Sequence, residues 1–151
     1  MNSFNNHINC KYDAFNVATQ ICQEKNIRFT NLRKRIFTII AKDHKPAKAY
    51  DILSILQAED NSAKPSTVYR TLDFLLEHNL IHKLHISNSY VSCTHPLKHQ
   101  KCYFLICNKC NQVSECCNDQ ISKEIDRVAL NYDFKISESI VEIKGTCKAC
   151  N

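Results

Sequence analysis

The sequence predicts an α+β protein in two domains, a helical N-terminal part closed by a β-hairpin and a small strand-rich C-terminal part. Three observations carry that reading. Apolar residues recur at helical spacing from about residue 13 to 79, strand-like alternation takes over at residue 81, and two Cys-x-x-Cys clips, Cys107/Cys110 and Cys147/Cys150, bracket the end of the chain. At 151 residues and 44% hydrophobic composition, the chain can bury two small cores. One Gly and three Pro leave little room for long flexible linkers.

The first helix is expected over 13–25, with Ala14, Val17, Ala18, Ile21 and Cys22 on one face and Asp13 as N-cap. Thr30 caps a second helix whose face is Leu32, Ile36, Ile39 and Ile40. His44-Lys45-Pro46 makes a turn, and a third helix starts near Ala47 or Lys48, burying Ala49, Ile52, Leu53 and Leu56. The polar loop 59–65 ends in Pro. Ser66 then caps a fourth helix with Val68, Leu72, Leu75 and Leu76 inward and Asn79 just past its end. Residues 81–86 and 90–93 flank Ser87-Asn88-Ser89 as a hairpin.

Helices followed by a hairpin in this order form a winged helix, with the helix from Ser66 as the recognition helix and the 81–93 hairpin as the wing. That helix offers Ser66, Thr67, Tyr69 and Arg70 near its N-terminus. Arg can pair bidentately with guanine, and hydroxyls reach phosphate oxygens. Charge agrees: eight Lys/Arg against one acid lie between Lys25 and Lys48, within a net charge of +5 for the chain. A local basic excess is the footprint of a polyanion such as double-stranded DNA.

The C-terminal domain is expected to hold strands over 103–107, 112–115 and 134–144 and an amphipathic helix over 119–131, with Ile121, Ile125, Val128 and Ala129 on one side. Domains of about 50 residues are marginal alone, and a metal staple and dimerisation are the usual remedies. Four thiolates in two clips make a closed tetrahedral zinc site, so Cys107, Cys110, Cys147 and Cys150 are assigned as structural zinc ligands. Asn111, directly after the first clip, suits a knuckle position with φ > 0. The domain bounds are 1–93 for the DNA-binding part, 94–100 for a hinge, and 101–151 for the dimerisation and zinc-binding part.

Four more ligand-type residues bracket the hinge: His82, Cys93, His99 and Glu115. Singly each has an ordinary explanation, but together they form a nitrogen, sulfur and oxygen set suited to tetrahedral zinc. His85 and His95 are spare candidates, and Cys102, Cys116 and Cys117 are thiols nearby.

Several stretches now carry a resemblance: AYDILSIL (49–56), AKPSTVYRTLDFLLEHNLIHK (63–83), NSYVSC (88–93), and the CNKC and CKAC clips. Over roughly residues 13–150 the chain resembles the ferric uptake regulator superfamily, and within it the zinc-sensing branch. The resemblance implies a dimeric, metal-dependent repressor of palindromic operators of metal-uptake genes. It implies that Tyr50 and Arg70 contact bases, that the clips hold structural zinc, and that His82, Cys93 and Glu115 are regulatory ligands, giving two zinc ions per subunit. The linker histidine stands one residue farther from the first clip than in the family pattern, so His99 and His95 both stay open as the fourth ligand. Iron, nickel or peroxide sensing is the alternative within the superfamily. The chain ends at Asn151 without a His- or Cys-rich tail, so no tail site is expected.

Other functions fit poorly. A zinc deaminase needs His-x-Glu followed by Pro-Cys-x-x-Cys; no His-x-Glu occurs and no Pro precedes either clip, so neither an enzyme nor a small-molecule substrate is expected. No secretory signal or membrane-length apolar run is visible, which predicts a cytoplasmic protein with reduced thiols and no membrane partner. All ten cysteines are accordingly read as ligands or buried small residues.

Overall fold

A computed structural model describes residues 7–43, 45–96, 102–117 and 119–151, with side chains from residue 14 onward. The chain divides into two compact units, 1–97 and 98–151.

In the first unit four helices, α1 (His7–Glu24), α2 (Asn31–Ile40), α3 (Ala49–Glu59) and α4 (Pro65–Glu77), precede the antiparallel hairpin β1 (Ile81–Leu84) and β2 (Ser89–Ser92). The core gathers Ala18, Ile21 and Cys22 of α1, Ile36, Phe37 and Ile40 of α2, Ile52 and Leu56 of α3, and Val68, Leu72 and Leu75 of α4, with Leu80 and Ile81 leading into the hairpin. These recur at three- and four-residue spacing, so each helix turns one stripe inward. Thr30 caps α2 as expected, its side chain accepting from the Arg33 backbone N–H.

The structure corrects the sequence reading at several points. The first helix starts at His7, which puts Asp13 inside it and not at its cap. Leu32 is 36% exposed and Phe37 takes its place in the core, so the inward stripe of α2 is rotated from the predicted one. Ser66 is not a cap either: Lys64 is the cap residue and Pro65 opens α4, where a missing N–H costs nothing. The wing turn occupies 85–88, and Ser89 belongs to β2. Ala47 exchanges backbone hydrogen bonds with Tyr90 at 2.9 and 2.8 Å, so the segment after the predicted turn adds a short third rung to the wing.

With one Gly in the chain, asparagine makes the left-handed turns. Asn26, Asn79, Asn88, Asn111 and Asp133 all have positive φ, a region Asn and Asp tolerate better than other side chains. Asn26, Asn79 and Asp133 each follow a helix, and the next amide bonds back to the helix's last full turn: Ile27 to Cys22, Leu80 to Leu75, Phe134 to Ala129. Each is a Schellman end.

In the second unit a three-stranded sheet has the order β4-β3-β5, where β3 is Cys102–Cys107, β4 Val113–Cys117 and β5 Val141–Gly145. β3 and β4 are antiparallel; β5 lies parallel to β3 and is reached through α5 (Asp119–Asn131). The predicted strand 134–144 therefore begins only at Val141. Among its described residues this unit buries only Phe104, Ile106 and Cys107 among hydrophobics, and α5 buries none. Leu105, Val128, Leu130, Tyr132, Phe134 and Ile143 stay exposed.

The reading of every cysteine as reduced is also corrected: Cys102 and Cys117 form a disulfide. They are directly opposite each other in the β3–β4 register, with Cα atoms 4.4 Å apart, at the short end of the separations a disulfide spans. Strand register, which redox compartment does not govern, is what brings these two sulfurs together.

Candidate metal centres and nucleic-acid interface

The first metal centre is built by strand ends. Cys107 is the last residue of β3, and the chain turns back through 108–110 so that the Asn111 N–H bonds to the Cys107 carbonyl at 2.9 Å. Asn111 takes φ 58° to do so. The parallel pairing of β5 with β3 delivers Gly145 beside Cys107, and the Asn108 N–H donates to the Gly145 carbonyl. That register seats the second clip, itself a tight turn closed by the Cys150 N–H on the Cys147 carbonyl, against the first. One sulfur from each of Cys107, Cys110, Cys147 and Cys150 lies within 4.8 Å of the others, and the Cys110 and Cys147 sulfurs are 3.7 Å apart. Tetrahedral zinc with bonds of about 2.3 Å requires sulfurs about 3.8 Å apart, so the donor set fits.

Electrostatics at the clips is uneven. Backbone N–H groups, first that of Cys110 and then that of Cys147, draw the Cys107 thiol down to about 6. Cys150 goes the other way, up to about 12, because it shares hydrogen bonds with the Cys147 and Cys110 sulfurs. Cys150 thus holds its proton across neutral pH, and a cation bound by the clips must displace it.

A second pair of donors sits on the wing. His82, half-buried in β1, is opposite Val91, and Cys93 follows two residues later on the same face. The Cys93 N–H donates to the Leu80 carbonyl at 2.9 Å, continuing the ladder past β2. Ligand atoms of His82 and Cys93 lie within 4.8 Å of each other, and Cys93 is buried. Glu115 belongs to the second unit, on β4 opposite Phe104. His99 lies outside the described residues. His95 is exposed, with Nδ1 2.8 Å from the Thr94 hydroxyl, and His85 stands in the wing turn.

Of the nucleic-acid residues, Ser66, Thr67, Tyr69 and Arg70 are all exposed on the first two turns of α4, while Val68 between them is buried. Tyr50, at the start of α3, is 76% exposed and Tyr69 53%. The basic run is only partly available to a partner. The Arg33 guanidinium stacks on the Phe74 ring at 3.5 Å, and Arg35 is tied to Glu59, with Nε donating to a carboxylate oxygen at 2.9 Å. Sequence counting could not separate these structural arginines from free ones.

Comparison with known proteins then decides the family. Residues 24–144 match the model of the Ferric uptake regulator family. The chain belongs to that family. It is 35% identical over 136 residues to the zinc uptake regulation protein of Escherichia coli (strain K12), an alignment covering 88% of this chain and 78% of that protein. It is 27% identical over 151 residues to the ferric uptake regulation protein of Campylobacter upsaliensis, covering 95% and 93%. Among solved structures it is similar to a zinc uptake regulator complexed with zinc and DNA, with TM-score 0.83 and 32% identity over 93% of this chain and 94% of that one. Holo XcZur follows the fold with TM-score 0.80 and 31% identity, covering 90% and 95%. The family is one of regulators and not of enzymes. Among the described residues no helix is long and apolar enough to cross a membrane.

Proposed function

We propose that this chain is a zinc-responsive transcriptional repressor that binds palindromic operators of zinc-uptake genes as a homodimer in the cytoplasm. The observation that carries the reading is the imidazole–thiol pair His82/Cys93, set on the wing of a winged helix whose α4 exposes Tyr69 and Arg70. A soft thiolate beside imidazole favours zinc over the harder metals sensed by other regulators, and the relatives at 32% and 35% identity are named for zinc.

Two zinc ions per subunit are assigned. The clips would hold the structural one. His82, Cys93, Glu115 and a linker histidine, His99 or His95, would hold the regulatory one. When bound there, the metal supplies a cross-link between the DNA-reading and dimerising domains. The residues do the rest. Arg70 and Tyr50 read base edges, Ser66 and Thr67 hold phosphates, and Tyr69 packs on the backbone. Domain bounds of 1–93, 94–100 and 101–151 follow, with the hinge between the two donor sets.

Dimerisation is supported by α5, an amphipathic helix whose Ile121, Ile125 and Ala129 are only half-buried, and by the exposed Leu105 and Ile143, paired on one sheet face. A second copy covering them would supply the core this domain lacks. Fixing the hinge would hold two α4 helices at one helical turn of DNA. A differential affinity of about 3 kcal/mol between fixed and free hinges shifts operator binding over a hundredfold, and operator DNA must tighten zinc by the same factor.

The test is a fluorescence-anisotropy titration of duplexes selected from a random pool in the presence of zinc. Half-maximal binding should follow free zinc, and ferrous iron or manganese should not substitute. Binding that ignores zinc, or follows iron instead, would overturn the assignment.

A further inference from the structure

One piece of chemistry is left over by the metal and DNA readings, at the end of the second unit's sheet away from the clips. Cys102 opens β3 and Cys117 closes β4, opposite each other and disulfide-bonded. β4 is an edge strand and both residues are only half-buried, so small reagents can reach them. The 15-residue separation they span is already closed by the β3–β4 ladder, and the Cys107/Cys110 turn closes its far end. A cross-link gains most where nothing else closes the loop. This bond is therefore redundant for the fold and free to open and close.

Its neighbour is Glu115. Alternation along β4 puts Glu115 and Cys117 on one face, and the Cys117 sulfur lies 3.7 Å from a Glu115 carboxylate oxygen. A disulfide sulfur carries no proton, so this is a contact and not a hydrogen bond while the bond is closed. Cys116 alternates to the other face, opposite Tyr103, and cannot replace Cys117 there.

We propose that Cys102 and Cys117 are a reversible dithiol–disulfide pair responsive to peroxides, and that opening the pair frees the Cys117 sulfur, 3.7 Å from a Glu115 oxygen, as a further donor to a metal held at that carboxylate. The second half rests on the regulatory assignment of Glu115; the first half does not. On oxidation, one thiolate attacks a hydrogen peroxide oxygen, the O–O bond breaks, and hydroxide leaves and takes a proton, giving a sulfenic acid and water. The partner sulfur then attacks that sulfur, the S–O bond breaks, and a second water leaves with the remaining thiol proton. Two thiols lose two electrons and one peroxide gains them. A dithiol reductant reverses this by exchange, returning two electrons and two protons. The clip cysteines are spared when zinc holds them, because their sulfur lone pairs are engaged.

The full-length protein, loaded with one equivalent of zinc, is treated with hydrogen peroxide and then dithiothreitol, alkylated, digested and mapped by mass spectrometry. The Cys102–Cys117 cross-link should form with peroxide and vanish with dithiothreitol, while a chromogenic chelator detects no released zinc. Prior oxidation of the clips with zinc loss, or a native cross-link that survives dithiothreitol, overturns the redox pair. Competition titration of the second zinc then tests the coupling. Affinity should be at least tenfold weaker in the oxidised form, and Cys102→Ser should bind like the reduced protein in both conditions. Equal affinity in both redox states refutes the coupling. A reduced protein that takes no second zinc instead refutes the regulatory assignment, and the cross-link mapping still decides the redox pair by itself.

Discussion

Removing one clip cysteine should dismantle the second domain while leaving the first intact. The magnitude follows from what each unit buries. Apart from the ligand Cys107, the described part of the second unit buries two large side chains, Phe104 and Ile106. At roughly 1.5–3 kcal/mol per side chain that is about 5 kcal/mol. Structural zinc in small domains contributes about 10–16 kcal/mol at neutral pH, so metal and not apolar burial dominates stability here. Cys107→Ser leaves three thiolates and removes the sulfur that accepts the Cys147 N–H at 3.4 Å. Hydrogen exchange followed by mass spectrometry is the assay. Amides of β3, β4 and β5 should lose protection in the variant, and in the wild type treated with a strong chelator, while those of α2, α3 and α4 keep theirs. Sedimentation should show dimer loss in parallel. A variant whose β3–β5 amides exchange as slowly as the wild type's would refute the argument, because some other interaction would then be holding the sheet.

Cys93→Ser should retain the fold and the structural zinc but lose zinc-dependent operator binding; unchanged zinc dependence in the anisotropy titration would remove Cys93 from the regulatory set. Arg70→Ala should weaken specific DNA by roughly 1–3 kcal/mol and relax one base position, whereas equal weakening on random DNA would make Arg70 a phosphate contact. Asn79→Ala should destabilise the first unit by about 1–2 kcal/mol in urea, since alanine meets the left-handed penalty at φ 57°. Zinc uptake by metal-free clips should release protons at pH 7–8, because Cys150 is pushed up to about 12 and must surrender its proton. In the metal-free fold the lowered Cys107 contributes stability that is present above its ordinary 9.0 and fades as pH falls through about 6, and the raised Cys150 contributes stability that is present below 9.0 and fades as pH rises toward 12. Clip affinity for zinc should therefore drop more steeply below about pH 6, measured by competition with a chelator of known proton linkage.

Helix count, helix order and the clips were legible in the sequence because each rests on local rules. Period-3.6 stripes on α2, α3 and α4, Thr30 as a cap, Asn79 and Asn111 as left-handed turns, and paired cysteines at metal spacing all depend on residues within a few positions of one another. The α5 bounds were legible for the same reason. The caps misread at Asp13 and Ser66 are local errors, but most of the others fell where a distant partner decides. Phe37 displaces Leu32 because the facing helices set the stripe's rotation, and Ala47 becomes a rung only because Tyr90 lies opposite it. Residues 134–140 alternate well enough for a strand, but among the described residues the ladder begins only where Val141 meets Tyr103. Arg33 and Arg35 read as free charge until Phe74 and Glu59 are found beside them. The Cys102–Cys117 bond depends on hairpin register, which no single residue announces. The sequence by itself determined which chemistry the chain carries, since side-chain type and short-range spacing are written in it. Tertiary structure alone decided which groups meet, because register and packing are set by the sum of many contacts across the chain.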